Sequence, residues 1–460
     1  MPKRSGISSL FSTFGKLTTL EVLNIIVGCV SEEGSEQMGH YKEAAIRESK
    51  TFGRHFVVCA KWIVLALLLG VIMGVICAVF SLSLGYVTEF RFRHGYIIWL
   101  LPVAGLLITF LYKKFGSKVS QGTNMVLAAI NSDEKIPFVM LPLIFVSSVI
   151  SHLFGASVGR EGAALQMGAS VGNTFADILK LNDNDKKILI MTGMSAAFSA
   201  LFGTPLAAAV FSMEVISVGV MYYAALVPCV VSALTAISTA KLLGVSYEVY
   251  DAFAVPDFTP YTAVMTVVLG ILCAIISIDL CALLIMSERG MVNHIANPYL
   301  RVFLAGLTIA LATYALGTQA YNGLGVGVIH SAVLGEVVWY AFLIKMLFTA
   351  VSLAGGYKGG EIVPVLFIGA TFGCTVAPLL GLPPAFCAAL GMVAVFCGVT
   401  NAPLASILIG IELFGSDSLW FICLVIAISY MLSGYYGLYK SQLIIYSKYR
   451  SVYVHKSAQR

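Results

Sequence analysis

Apolar residues run in long blocks through most of this chain, at 57–90, 96–112, 137–155, 187–213, 218–243, 260–286, 301–316, 336–354, 363–381, 383–413 and 418–434. Their lengths lie around the roughly 20 residues that cross a hydrocarbon core. Lipid offers the backbone no hydrogen bonds, so only helices and closed barrels span it, and runs of this length predict helices. The fold class that follows is an all-α polytopic membrane protein. Residues 1–55 are polar and predict amphipathic helix around KEAAIRESK (42–50).

Superimposed on the blocks is a motif written twice. AAFSALFGTPLAAAVFSMEV begins at Ala196 and AVFCGVTNAPLASILIGIEL at Ala394. Pro205, Leu206, Ala207 and Glu214 fall on Pro403, Leu404, Ala405 and Glu412 without a gap, and Phe198 falls on Phe396. Upstream, GREGAALQMGASVG (159–172) matches GGEIVPVLFIGATFG (359–373), with Gly168, Ala169 and Gly172 on Gly369, Ala370 and Gly373. Each half therefore places a glycine-rich break, a helix, and a proline-interrupted helix with a late Glu. Interrupted segments at matching positions of two repeats point to a transport site at the repeat interface.

The first break carries the chemistry. Arg160 and Glu161 sit between apolar stretches, where a charge costs from roughly 2.5 kcal/mol upward and is usually functional. A helix freed to start inside the membrane offers N–H donors to an anion, Arg160 adds positive charge, and Glu161 is a carboxylate that an anion could displace. Neighbours on a turn rarely pair well, so a structural Arg160–Glu161 ion pair is not expected. The repeat register sets Arg160 opposite Glu361 and Glu161 opposite Ile362, with the two breaks facing each other across a shared pore. The recurring Glu214 and Glu412 fit a structural role, capping or anchoring helix ends.

Charge and cysteine narrow the picture further. The 460 residues are 59% hydrophobic and 11% charged, with formal charge +5, which points to no nucleic acid. Residues 1–20 lack the pattern of a cleavable signal. The acid-free tail with Lys448, Arg450, Lys456 and Arg460 predicts a cytoplasmic C-terminus. Ten cysteines without a CxxC pair read as small buried hydrophobes, and no metal or cofactor is expected. GASVG at 155–159 and 168–172 matches GxSxG formally but lacks the strand–turn–helix setting of a hydrolase, so no enzyme is predicted.

GREGA at 159–163, GGEIVP at 359–364, LFGTPLAAAVFSMEV and YYGLYKSQ at 435–442 resemble, in that order, the motifs of the CLC family of chloride channels and anion/proton exchangers. The resemblance covers residues 56–445. It implies a homodimer of inverted repeats, built of transmembrane and broken half-spanning helices, with one anion pathway per subunit and Tyr439 at its inner end. Departures are informative: the first filter stretch is GTNMV at Gly122–Val126, Ile362 replaces a phenylalanine, and Val215 stands where exchangers of the bacterial type carry a second carboxylate. With Glu361 and Asn124, these features are similar to the fluoride-exporting branch.

The resulting expectation is fluoride export coupled to proton antiport across the plasma membrane, gated by Glu161 with help from Glu361. The anion would be bound by Thr123, Asn124, Tyr439 and the break residues Gly159, Arg160, Gly162, Gly360, Ile362 and Val363. A chloride/proton exchanger and a passive chloride channel are the alternatives. The expected organisation is an N-terminal cytoplasmic segment (1–55), membrane repeats at 56–250 and 258–440, and a basic tail (441–460) with no large cytoplasmic domain.

Overall fold

A computed structural model describes residues 35–115, 119, 122–132, 134–247, 250, 254–450 and 452–458. Most of the polar N-terminal segment, and the side chains of KEAAIRESK, lie outside the described residues. The chain divides into two compact units, Met1–Lys61 and Trp62–Arg460; the second contains the site described below.

Among the described residues, two series of eight helices follow one another. The first is α1 (Ser35–Arg93), α2 (Leu101–Phe115), α3 (Thr123–Ser132), α4 (Met140–Phe154), α5 (Glu161–Ile178), α6 (Asp183–Phe202), α7 (Pro205–Glu214) and α8 (Leu226–Leu242). The second is α9 (Pro260–His294), α10 (Pro298–Leu316), α11 (Val326–Val333), α12 (Ala341–Gly355), α13 (Ile362–Leu380), α14 (Pro384–Thr400), α15 (Pro403–Phe414) and α16 (Leu419–Leu432). Six helices of the described residues are long and apolar enough to cross a membrane. Others are half-length: α7 has 10 residues, about 15 Å, half of a hydrocarbon core about 30 Å thick.

The apolar blocks at 187–213 and 383–413 each split in two at repeat-related positions. Gly203 and Asn401 end α6 and α14 in the left-handed region, at φ 79° and 57°, which Gly and Asn tolerate best. Pro205 and Pro403 then take the first turn of the next helix, where no N–H is needed.

Those two short helices reveal the orientation of the repeats. The Glu412 carboxylate, at the end of α15, accepts the Leu206 and Ala207 N–H groups at 2.9 Å each, at the start of α7. Glu214, at the end of α7, accepts Leu404 and Ala405 N–H at 3.1 and 2.8 Å, at the start of α15. End meets start in both directions, so the repeat mates lie antiparallel and the repeats are inverted. The structural reading of both glutamates holds, and a negative charge at a helix start is also favoured by the dipole.

Glycine sets how closely the remaining helices pack. A Cβ on Gly168 of α5 would collide with the Gly193 carbonyl of α6, and one on Gly369 of α13 with Gly391 of α14. Bare backbones can thus cross where any side chain would hold them apart. Phe198 and Phe396 flank Phe211, at ring separations of 5.0 and 5.7 Å, which seals the repeat interface behind these crossings.

The basic tail carries local structure. Leu443–Tyr446 (β2) and Tyr453–Ser457 (β3) form an antiparallel pair that joins Ser217–Val218 (β1) in a three-stranded sheet. Ile444 and Ala458 are buried with Val218, so a small apolar minority packs within this charged segment. Seven of the nine described cysteines are buried, and all nine are unpaired.

The reciprocal caps yield a stability prediction. Glu214→Ala leaves the Ala405 N–H buried and unpaired, at a cost of about 1–3 kcal/mol. Thermal unfolding in detergent should show a lowered Tm for Glu214→Ala and a smaller loss for Glu214→Gln, which keeps one acceptor. Equal melting of all three proteins would mean the caps contribute nothing.

Candidate functional site

The two glycine-rich breaks touch. Gly159 and Gly360 form an antiparallel bridge in which each N–H donates to the other's carbonyl, at 2.5 and 2.7 Å. Arg160 and Glu361 then cap the two helices, and Glu161 and Ile362 are the first residues of α5 and α13. The predicted register is therefore observed, but the breaks do not face one another across a pore. The physical reason is that extended backbone inside a membrane must find partners, and each break is the other's partner. Contact this close excludes side chains: a Cβ on Gly162 would lie 2.8 Å from Gly360 Cα, and one on Gly360 would strike the Gly162 nitrogen.

A third helix start joins the two. The position a Gly162 Cβ would take lies 3.2 Å from Glu361 Oε2 and 3.6 Å from Thr123 Oγ1, at the first residue of α3. Helix geometry leaves the opening N–H groups without intrahelical acceptors, so those of α5 and α13, including Gly162, Ile362 and Val363, open on the same neighbourhood. Three helix starts, each with partial positive charge, converge there.

Glu161 is fully buried and folds back on the start of its own helix. Its Oε2 accepts the Arg160 N–H, and its Oε1 the Arg160 Nε–H, both at 3.2 Å. The ion pair judged unfavourable from sequence thus forms, because Arg160 is the cap and Glu161 the first helical residue, which brings both side chains to one turn. The rest of the guanidinium reaches the Leu201 carbonyl at 3.2 Å and Ser81 Oγ at 3.4 Å. Arg160 therefore ties the start of α5 to its surroundings, each of its side-chain nitrogens bonding a protein atom.

Two of the buried polar atoms left open belong to predicted site residues. Glu361 Oε2 and Tyr439 Oη are buried without a hydrogen-bond partner among the described residues. Tyr439 is 1% exposed, unlike its neighbours Tyr436 and Tyr446 at 37% and 47%, so it does not belong to an interfacial belt. Both Glu361 and Glu161 act on it electrostatically. Asn124 Oδ1 accepts the Ser441 N–H at 3.2 Å, which ties α3 to the Tyr439 loop and turns the amide NH₂ the other way.

Several supporting residues were not among the site residues expected from the sequence. Gln166 Nε2 donates to Thr123 Oγ1 at 3.2 Å, leaving the Thr123 hydroxyl proton to point elsewhere. Arg91 donates to the His152 carbonyl, and Lys345 to the Tyr321 and Gly323 carbonyls at 3.1 and 2.7 Å. Gly323 N–H and Asn322 Nδ2 in turn hold the Ala156 and Gly155 carbonyls. Buried cations here serve backbone on the approach to the first break, a use that sequence spacing does not reveal. The two GxSxG serines are similarly occupied: Ser157 bonds Thr349, and Ser170 reaches the Pro137 and Phe138 carbonyls.

Inverted repeats whose broken helices start together around a buried carboxylate define a multi-pass membrane transport protein. Residues 104–434 match the voltage gated chloride channel family, and the chain belongs to it. A relative named "Chloride/fluoride channel protein" from Pseudomonas syringae pv. tomato is 38% identical over 397 residues, 85% of this chain and 88% of the relative. A crystal structure of a CLC-type fluoride/proton antiporter superposes with a TM-score of 0.81 at 33% identity, covering 83% of this chain and 98% of that one. A slow cyanobacterial Cl⁻/H⁺ antiporter shares the fold, with a TM-score of 0.72 at 18% identity over 81% and 94%.

Because the Tyr439 hydroxyl has no partner among the described residues, Tyr439→Phe should leave the Tm close to wild type. If the phenol is a ligand, halide affinity measured by titration should fall by about tenfold or more, the loss expected for one hydrogen bond to a charge. Unchanged affinity would remove Tyr439 from the site.

Proposed function

We propose that this protein exports fluoride in exchange for protons, as a homodimer in the plasma membrane with its C-terminus in the cytoplasm. Glu161 carries the reading. Its carboxylate takes the N–H donor at the start of α5 that an incoming anion would otherwise take, so carboxylate and anion compete for one seat. Protonation neutralises the carboxylate and releases the seat; an anion fills it, and the proton travels with the side chain. Antiport follows from that alternation.

The case for fluoride rests on the donors nearby and on the relatives. Fluoride is compact and strongly hydrated, and the helix-start N–H groups, the Thr123 hydroxyl, the Asn124 amide and the Tyr439 phenol together can replace its water. The named properties of the relatives at 38% and 33% identity agree. Val215 has no carboxylate to pass protons inward, and a helping role for Glu361 is supported by its buried Oε2 near Gly162, which has no hydrogen-bond partner among the described residues. Export has a chemical rationale: neutral HF crosses lipid, dissociates in a near-neutral cytoplasm and leaves fluoride trapped behind the membrane. Proton influx can drive it out. Residues 56–250 and 258–440 would constitute the two repeats of each pathway.

Liposome efflux of fluoride and of chloride, with and without a pH gradient, tests the reading. Fluoride should move faster, and a proton gradient should drive it uphill. Chloride preference would point to a chloride/proton exchanger, and flux indifferent to protons to a passive channel. In the same assay Glu161→Gln should abolish anion-driven proton uptake, Glu361→Gln should slow turnover or coupling, and Val215→Ala should leave coupling intact. Asn124→Ala should depress fluoride flux more than chloride flux; equal losses would reduce Asn124 to a loop anchor.

A further inference from the structure

Among the described residues nothing bonds the Tyr439 phenol at its own tip, so its position comes from the backbone around it. Leu438 N–H donates to the Val399 carbonyl at 2.9 Å, and Gln442 N–H to the Tyr439 carbonyl at 3.1 Å. Gln442 is fully buried with every side-chain polar group engaged. Its Nε2 donates to the Val215 and Thr400 carbonyls at 2.9 and 2.8 Å, the ends of α7 and α14. Its Oε1 accepts from Asn401 Nδ2 at 2.9 Å.

Asn401 passes the chain of contacts outward. Its Nδ2 also donates to the Tyr436 carbonyl at 3.0 Å, and its Oδ1 accepts a short hydrogen bond from Lys448 Nζ. Lys448 sits at the tip of the β2–β3 hairpin, whose base closes on Gln442 itself through Ala458 N–H to Gln442 O at 2.9 Å. The ammonium group further donates to the Tyr430 carbonyl and Ser433 Oγ at 3.0 and 3.1 Å, and lies 4.4 Å from the Tyr430 ring centroid. It therefore caps the end of α16 while gripping Asn401, and a cation there also suits the dipole.

We infer that the C-terminal hairpin is a positioning device for the inner end of the anion pathway, with Lys448 acting through Asn401 and Gln442 to hold Tyr439 in place. Lys448 touches no transported ion; it is a positioning residue. Without its charge, Asn401 loses a partner that fixes its amide, Gln442 loses the fixed donor to its Oε1, and the Tyr439 loop gains freedom. The inference rests on Tyr439 lining the pathway, but not on which halide is carried.

Burial lowers the Lys448 pKa to about 8, and the groups that act on it are Cys281 of α9 and Cys397 of α14, with Glu214 acting on Cys397. As pH rises through that value the ammonium loses its proton and the grip weakens. A guanidinium in the same place stays charged.

The test compares wild type with Lys448→Met and Lys448→Arg in oriented liposomes, reading initial anion flux against internal halide concentration. Lys448→Met should raise the half-saturating internal halide concentration by about threefold or more while changing the maximal rate less, and Lys448→Arg should restore it. Raising internal pH from 7 to 9, values chosen about one unit either side of the group's pKa, should weaken wild-type halide affinity but spare Lys448→Arg. Wild-type kinetics in Lys448→Met, or matching pH profiles for wild type and Lys448→Arg, would overturn the inference; the pH comparison stands even if Lys448→Met does not fold. Loss of halide selectivity or of proton coupling in wild type would count against the transport reading alone, since the hairpin is judged on internal affinity.

Discussion

A backbone that leaves the helix inside a membrane has no water to satisfy it, and this fold answers by making each break the partner of another. Gly159 and Gly360 exchange both of their hydrogen bonds, and Glu214 and Glu412 each take two N–H groups from the opposite repeat. Neither half could leave its helices broken alone. Inversion is what makes the exchange reciprocal, because an antiparallel mate presents an end wherever its partner presents a start. The convergence of α3, α5 and α13 is a consequence: once breaks must touch, the helix starts beyond them are gathered in one place.

That gathering also explains why the site is built of small and unpartnered groups. Glycines at 159, 162 and 360 remove the side chains that would hold the breaks apart. The positive ends of the helices create a seat for negative charge, which Glu161 occupies from its own helix. Around it, Glu361 Oε2 and Tyr439 Oη are buried with no partner among the described residues, an arrangement that costs free energy unless something else completes it. An anion that competes with Glu161 would do so.

Much of this was legible in the sequence for a specific reason. The repeat writes its constraints in residues that nothing else replaces easily: glycines at the helix crossings, prolines at the helix starts, and a Glu nine residues on. Aligning Gly168 with Gly369 was enough to place Arg160 opposite Glu361. The misses share a physical cause as well. The contact between the breaks, the Arg160–Glu161 pair and the carbonyls held by Arg91 and Lys345 depend on backbone positions that spacing does not encode. The C-terminal sheet was hidden because its first strand is two residues long and its apolar content is a few side chains in a basic segment.

The central claim is that anion and Glu161 carboxylate exclude each other from one seat. Linkage makes this measurable: an anion that displaces the carboxylate must drive proton uptake at a pH where the seated carboxylate is ionised. Calorimetric titration of the purified protein with fluoride, in buffers of differing ionisation enthalpy, counts those protons. The account predicts net proton uptake on fluoride binding to wild type and none in Glu161→Gln. Fluoride binding with no proton uptake in wild type, or with equal uptake in both proteins, would contradict it.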